Sequence, residues 1–426
     1  MPTDVAAAPP PIVERRYAVA FALVTTLFFS WALAAALNDV LIRQFQKALD
    51  LTRAQSSLIQ TAFYLGYFCA AIPAGLLIRR YGYKATILFG LGCYAAGAFL
   101  FYPAAEVQRF GVFLTALYVI AIGLGFLETA SNPYVSILGA KETASARLNL
   151  AQSFYGVGAI LGPVIGGLFV LSGVEHSPAA LSAMTAAERA TWRTSEAATV
   201  QGPYVAIGIA VCLLAVLIAR TRFPSIERPL AERTEVRSFW AVLRHQRLVR
   251  AVVTQFFYVG AQVGVWSFFI DFAKTQAPQL GERSVAFLLS GSLAMLMVGR
   301  FSGAFLQSRI APARLLAIYA AANIVLCGAA VTLSGEVAVA ALWLTSFFMS
   351  IMFPTIFALG VEDLGEETEN GSSFLIMSII GGALIPPAMG LVSDRIGGVH
   401  HMMAIPMLCF AVVLGFAVLV LREKRR

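Results

Sequence analysis

The stretch GAILGPVIG (Gly158 to Gly166) returns as GALIPPAMG (Gly382 to Gly390), with Gly, Ala, Pro and Gly matching at one constant offset of 224. Each copy lies in an apolar run long enough to cross a bilayer, which takes about 20 mostly apolar residues. Cutting the chain outward from the two copies, at charges and at Pro and Gly punctuation, yields twelve such runs, from Tyr17 to Ile42 at one end to Met402 to Leu421 at the other. The first copy then sits in the fifth run and the second in the eleventh, equivalent places in two halves. An all-α membrane protein of twelve transmembrane helices in two pseudo-symmetric six-helix bundles is expected. A single pair of glycines reads as close helix packing in lipid. Repetition at matched positions points further, to two halves that pivot about a midplane site.

Composition agrees. Of 426 residues, 59% are hydrophobic and only 13% charged, against about 25% charged in soluble proteins, which excludes an ordinary soluble globule. The 31 basic and 23 acidic residues leave a net charge of +8, but the basic ones form short clusters between apolar runs. No nucleic-acid partner is expected from such a pattern. The five cysteines (Cys69, Cys93, Cys212, Cys327, Cys409) lie singly in apolar runs and read as small core residues, not disulfides or metal ligands.

The polar, Ala/Pro-rich start lacks a positive n-region and a cleavage site, so residues 1–16 read as a cytoplasmic tail and not a signal peptide. One bundle is expected over 17–219, a cytoplasmic linker over 220–250, the second bundle over 251–421 and a short tail over 422–426. With the N-terminus inside, 21 Lys and Arg fall on the inner side and 9 on the outer, leaving Arg300 within a run. The positive-inside rule therefore places both termini and the linker in the cytoplasm of a bacterial inner membrane. One inner loop is acidic, with Glu362, Asp363, Glu366, Glu367 and Glu369; it reads as a solvated cap. The linker segment SFWAVLRHQRLVR (Ser238 to Arg250) reads either as an amphipathic helix at the headgroups or as bare solvated chain. Arg300 reads as a snorkelling residue near the inner surface.

Two acids lie within apolar runs, Asp39 in the first and Glu128 in the fourth. A charged side chain there is costly, so each is a functional candidate. Asp39 has a plainer reading as a wetted helix end, and Glu128 one as a structural hydrogen-bonder. Burial disfavours the charged form of a carboxyl group, a property that suits a proton carrier. Sugars ask for polar partners for hydroxyls and an aromatic face for the ring, in a largely preformed cavity. Asn38, Asn132, Asn149, Gln152, Gln255 and Gln262 supply amides within the runs, and Trp31, Tyr64, Tyr155, Tyr258, Trp266 and Phe353 supply rings. Taken singly, each ring reads first as core or lipid-facing. His176, His245, His400 and His401 all fall in loops or at run ends. An intramembrane enzyme is thereby disfavoured, and no metal or cofactor is expected. A channel is also disfavoured, while efflux of amphipathic drugs and sodium binding at Asp39 stay open.

The loop Gly75-Leu-Leu-Ile-Arg-Arg-Tyr-Gly-Tyr-Lys84 resembles the major facilitator loop signature, with Arg79 where that pattern has Asp. The segments LNDVLIRQFQ (37–46), IQTAFYLGYF (59–68), GFLETASNPYVSILG (125–139), RLNLAQSF (147–154), FPTIFALG (353–360) and GSSFLIMSIIGG (371–382) resemble the bacterial L-fucose:proton symporter family over nearly the whole chain. That resemblance implies proton coupling at Asp39, with Glu128 as second candidate, and a sugar cavity that includes Glu128 and Gln152. The full set expected to bind substrate is Asn38, Glu128, Asn132, Asn149, Gln152, Tyr155, Gln262 and Phe353. Departures from the family pattern are Ala35 and Ala36 in place of paired asparagines, Tyr155 in place of Asn and Phe353 in place of Tyr. The implied activity is import of a monosaccharide, L-fucose or a related sugar, with a proton, by a lipid-embedded monomer. A sodium-coupled glucose/galactose-type carrier is the alternative.

Overall fold

The computed structural model describes residues 13–139, 144–176, 178–223, 239–307, 309–362, 364 and 367–424. Among these there is no strand, and twelve helices are long and apolar enough to cross a membrane. They are α1 (Arg15–Leu49), α2 (Arg53–Ile78), α3 (Arg80–Val107), α4 (Phe110–Val135), α5 (Leu150–Val170), α6 (Ala186–Arg220), α7 (Gln246–Gln276), α8 (Glu282–Gln307), α9 (Pro312–Thr332), α10 (Gly335–Val361), α11 (Ser373–Ile396) and α12 (His401–Glu423). Helix is what an apolar chain must form in lipid, because no water is there to satisfy backbone groups. With an even number of crossings in each half, the start of α1, the α6–α7 connection and the end of α12 share one face, here termed the linker end.

Local chemistry fixes where the helices begin and bend. Thr52 and Gln55 form a reciprocal capping box at the start of α2, closing the turn from α1. Gly82, at φ +81°, makes the kink in the first residues of α3 as the chain turns away from α2, a conformation that only glycine adopts cheaply. Lys84 beside it donates to the Ala219 and Thr221 carbonyls at 2.8 and 2.9 Å and so caps the end of α6. α10 is broken between Met349 and Met352, α11 passes through a 3₁₀ turn at Ser378–Ile380, and α5 ends in a π turn at Gly166–Val170. Such interruptions are frequent where transporter helices line a pathway.

The duplicated glycines carry unequal loads. Gly158, Gly162 and Gly166 seat α1 within their own bundle, against Phe29, Ala36 and Val40 in turn. Gly382 and Gly390 face the other bundle instead. A Cβ at Gly382 would stand 2.9 Å from the Tyr64 ring, and one at Gly390 2.6 Å from the backbone N of Ala54. Ala36, read as a lost cavity group, is buried against Gly162, whereas Ala35 is half-buried.

Three loops differ from the sequence reading. α1 continues beyond Ile42 to Leu49, because Arg43, Gln44 and Lys47 all find partners on the packed side. α6 gains an amphipathic lead-in, Ala186–Ala198, capped by Thr185 and Glu188. The acidic loop is no free cap. Glu367 is buried and accepts from Arg244 at 3.0 Å and His245 at 2.8 Å, and Glu362 binds Arg247 and Lys424. It thus docks the end of the linker, whose Phe239–Arg244 segment is a single 3₁₀ stretch and no longer amphipathic helix. The remainder of the linker, 224–238, lies outside the described residues, as do Asp363 and Glu366.

Candidate functional site

The polar groups inside the bundles form two clusters. In the first bundle Glu128 and Asn132, four residues apart, share a face of α4. Gln152 of α5 donates to the Asn132 side-chain oxygen at 3.3 Å, and Asn132 donates back to the Glu128 carbonyl at 3.1 Å. Those bonds orient both amides and leave the Glu128 carboxylate without a protein donor among the described residues. Glu128 is half-buried, and Tyr64, Tyr67 and Tyr155 lie within its electrostatic reach. One acid and two fixed amides, edged by three tyrosines, suit a ring bearing hydroxyls.

The second bundle contributes across the gap. Gln262 donates to the Tyr258 hydroxyl at 2.8 Å, which donates to the Met349 carbonyl at 2.9 Å. That carbonyl is released by the break in α10, so Tyr258 satisfies a backbone group the helix abandons. Half-buried Phe353 follows the break, and Trp266 donates to Ser346 at 3.0 Å. Arg300 is exposed yet within electrostatic reach of Tyr155 in one bundle and Tyr258 in the other. It lies toward both bundles, on the inner half of α8 where the sequence reading placed it near the inner surface.

Asp39 belongs to the second cluster, where the bundles touch. It is 6% exposed, and one of its oxygens accepts from Gln60 of α2 at 2.9 Å and from Ser267 of α7 at 3.2 Å. Gln60 also donates to Ser267 at 2.9 Å. One turn onward, Arg43 meets Asp271 at 3.4 Å and Glu282 at 2.8 Å, Lys47 meets Glu282 at 2.6 Å, and Arg53 also pairs with Asp271. Glu175 holds Lys274 at 2.6 Å and accepts the backbone N–H of Glu282. The end opposite the linker is thus clamped shut, and the Asp271 and Glu282 carboxylates at its centre are almost wholly buried.

Of the expected residues, Glu128, Asn132, Gln152 and Tyr155 come together, while Gln262 and Phe353 lie in the second bundle, the first bonded to Tyr258 and the second just after the break in α10. Asn38 is 1% exposed, and its side-chain amide has no hydrogen-bond partner among the described residues. The Asn149 side chain lies outside the described residues. Gln60 and Ser267 escaped the sequence reading. Gln60 carried a signal, an amide in an apolar run, whereas a serine in such a run carries none.

The sequence model of the Major Facilitator Superfamily matches residues 19–375. An L-fucose-proton symporter of Escherichia coli K12 is 45% identical over 95% of this chain and 93% of its own. The chain belongs to the L-fucose:proton symporter family of the Major Facilitator Superfamily. It is an integral membrane transporter and not an enzyme. A glucose/galactose transporter of Brucella abortus biovar 1 is 35% identical over 94% of this chain and 93% of its own. A solved structure of FucP in the outward conformation is 44% identical, covers 95% of this chain and 99% of the other, and superposes with a TM-score of 0.68.

Proposed function

We propose that this protein imports a monosaccharide together with a proton, by alternating access of two bundles, 17–219 and 251–421, joined by the 220–250 linker. Both termini and the linker lie in the cytoplasm of a bacterial inner membrane, as the loop charges indicate. The clamped end then faces outward, and this arrangement is the one open to the cytoplasm. The outward conformation of a 44% identical relative, matched at a TM-score of only 0.68, supports opposite states of one cycle. Each chain holds both faces of the cleft, so a monomer suffices for transport, with lipid around it.

The observation that carries this reading is the pairing of a hydroxyl-binding trio, Glu128, Asn132 and Gln152, with a separate dry acid, Asp39, at the bundle contact. One cluster binds sugar; the other takes the proton, and its neutral form lets the sugar-loaded carrier rock without carrying a bare charge through a dry contact. A relative at 45% identity is named for L-fucose and protons, but Tyr155 and Phe353 replace two polar groups of that family's pattern. The sugar we infer is a monosaccharide with fewer or differently placed hydroxyls, since sites built for a hydroxyl discriminate strongly. The second reading, a sodium-coupled glucose/galactose carrier, draws on the 35% identical relative. Uptake into proteoliposomes across a panel of monosaccharides, with pH and sodium gradients imposed separately, decides between them. Uptake that follows sodium and ignores pH would overturn the proton reading.

A further inference from the structure

Two residues of α1 and two of α7 form successive rungs across the bundle contact. Asp39 and Arg43 are four apart on one helix, Ser267 and Asp271 four apart on the other, so each pair lines one face. The outer rung is the ion pair Arg43–Asp271, and the inner rung is the hydrogen bond from Ser267 to Asp39. Fixing the outer rung sets the register of the inner one. With the clamped end shut, Ser267 reaches Asp39.

We infer that Ser267, with Gln60 bridging, is the positioning pair through which the second bundle reads the charge of Asp39 and favours release of its proton once the outer end has closed. This rests on the reading that Asp39 carries the coupling proton. The Gln60 amide nitrogen only donates, and the Ser267 hydroxyl is free to turn its hydrogen toward the same oxygen. Both donors prefer a carboxylate to a carboxylic acid. Gln60 sits in the first bundle with Asp39, so its bond travels with that bundle. Ser267 arrives from the other. The contact is dry, with Gln60 3% and Ser267 1% exposed, which makes each bond count for more than it would in water.

No competing charge sits on Asp39 among the described residues. On its own helix Arg43 is taken by Asp271 and Glu282; from α2 come Gln60, Tyr64 and Arg53, the last paired with Asp271; from α5 comes Tyr155; from α7 come Ser267 and Asp271. The step balances simply. As Ser267 docks, the Asp39 carboxyl loses its proton to water and the carboxylate left behind accepts both bonds. Reopening the outer end withdraws Ser267, and the carboxylate regains a proton there.

Infrared difference spectroscopy of the purified, lipid-reconstituted protein follows the protonated carboxyl stretch of Asp39, assigned by its loss in Asp39→Asn, as pH is varied without sugar. In Ser267→Ala the midpoint of that band should move about one pH unit toward alkaline, a tenfold change in proton release. Ser267→Thr, which restores the hydroxyl, should return it to the wild-type position. Ser267→Cys, a weaker donor of similar size, should fall between and serves if the alanine variant does not assemble. An unchanged or more acidic midpoint in Ser267→Ala and Ser267→Cys overturns the inference while leaving Asp39 as proton carrier. Failure of the parent reading looks different: the wild-type Asp39 band does not titrate, or Asp39→Asn still accumulates sugar uphill.

Discussion

Asp394 caps Ala54: an oxygen of Asp394, near the end of α11, accepts the backbone N–H of Ala54 in the first turn of α2 at 2.9 Å, and its other oxygen accepts that of Arg53 at 3.2 Å. The first N–H groups of a helix have no partner within it, and here the other bundle supplies one. Closure of the end opposite the linker is thus written into the capping of a helix, and opening it returns those N–H groups to water.

Gly390 lets Asp394 come so close, since a Cβ there would stand 2.6 Å from the Ala54 backbone nitrogen. Gly390→Ala should hold the end opposite the linker open. With the five native cysteines replaced and Ser57, now fully buried at that end, changed to Cys, a membrane-impermeant maleimide should label that cysteine several-fold faster when Gly390→Ala is added than when Gly390 is kept. Equal labelling rates would refute this.

Glu282 binds Arg43 and Lys47 with its side chain wholly buried. Removing one partner of a buried ion pair leaves the other charge stranded and costs about 3 kcal/mol or more. Glu282→Ala should lower the melting temperature of the purified protein and Glu282→Gln should do so less, because the amide oxygen keeps one acceptor. An unchanged melting temperature in Glu282→Ala would show that the clamp adds nothing to the closed form.

Glu128→Ala and Gln152→Ala should each weaken sugar binding by roughly 1 to 3 kcal/mol, the range for lost hydrogen bonds to neutral and charged partners. Gln152 acts partly through Asn132, whose side-chain oxygen it holds at 3.3 Å, so its loss should resemble that of Asn132→Ala. Titration calorimetry with the transported monosaccharide measures all three, and wild-type affinity in both Glu128→Ala and Gln152→Ala would move the site elsewhere.

Asp39→Asn mimics the protonated acid. It should abolish uphill uptake driven by a pH gradient and retain exchange between two sugar-loaded sides, with sugar binding and protonation helping each other in the wild type as linkage demands. Accumulation against a gradient by Asp39→Asn would pass the coupling role to Glu128.

Acid should release the linker. The hydrogen bond from His245, joined by Arg244, holds the Glu367 carboxyl below the usual carboxylate range, and Lys424 followed by Arg247 does the same for Glu362. A carboxyl held down in the folded state stabilises it above the unfolded value of about 4.3, and that contribution fades as pH falls through the lower folded value. Trp240, on the docked segment with its ring 5.5 Å from that of Phe374 in α11, should report the release as a fluorescence change on acidification. In Glu367→Gln the change should be largely gone; a full-sized change there would place the sensing group elsewhere.

Hydropathy made the twelve crossings legible, because lipid leaves an apolar run of that length one option. The division into halves came from Gly158 and Gly382, yet their different neighbours did not, since a repeat records ancestry and not what each glycine touches. Glu128 stood out because a charge in an apolar run is costly. Glu282, Glu196 and Asp271 did not, as each sits near a helix end where sequence reads solvent, and their burial comes from Arg43, Gln44, Lys47 and Arg53, distant in the chain. Ser267 was silent for a different reason: a hydroxyl in a helix can satisfy itself locally, and only the fold brings it to Asp39.

Flat glycines at the meeting faces have a mechanical consequence. Gly382 and Gly390 present bare backbone to α2, so at these two positions α11 has no side-chain knob of its own to lift as one bundle slides past the other. The joint then resists turning chiefly through its polar contacts: the Asp394 cap, the Glu175–Lys274 pair and the latch of Arg43, Lys47, Arg53, Asp271 and Glu282. A machine so divided can be retuned by exchanging a few charges at the latch, leaving the glycine faces and the cargo compartment as they are.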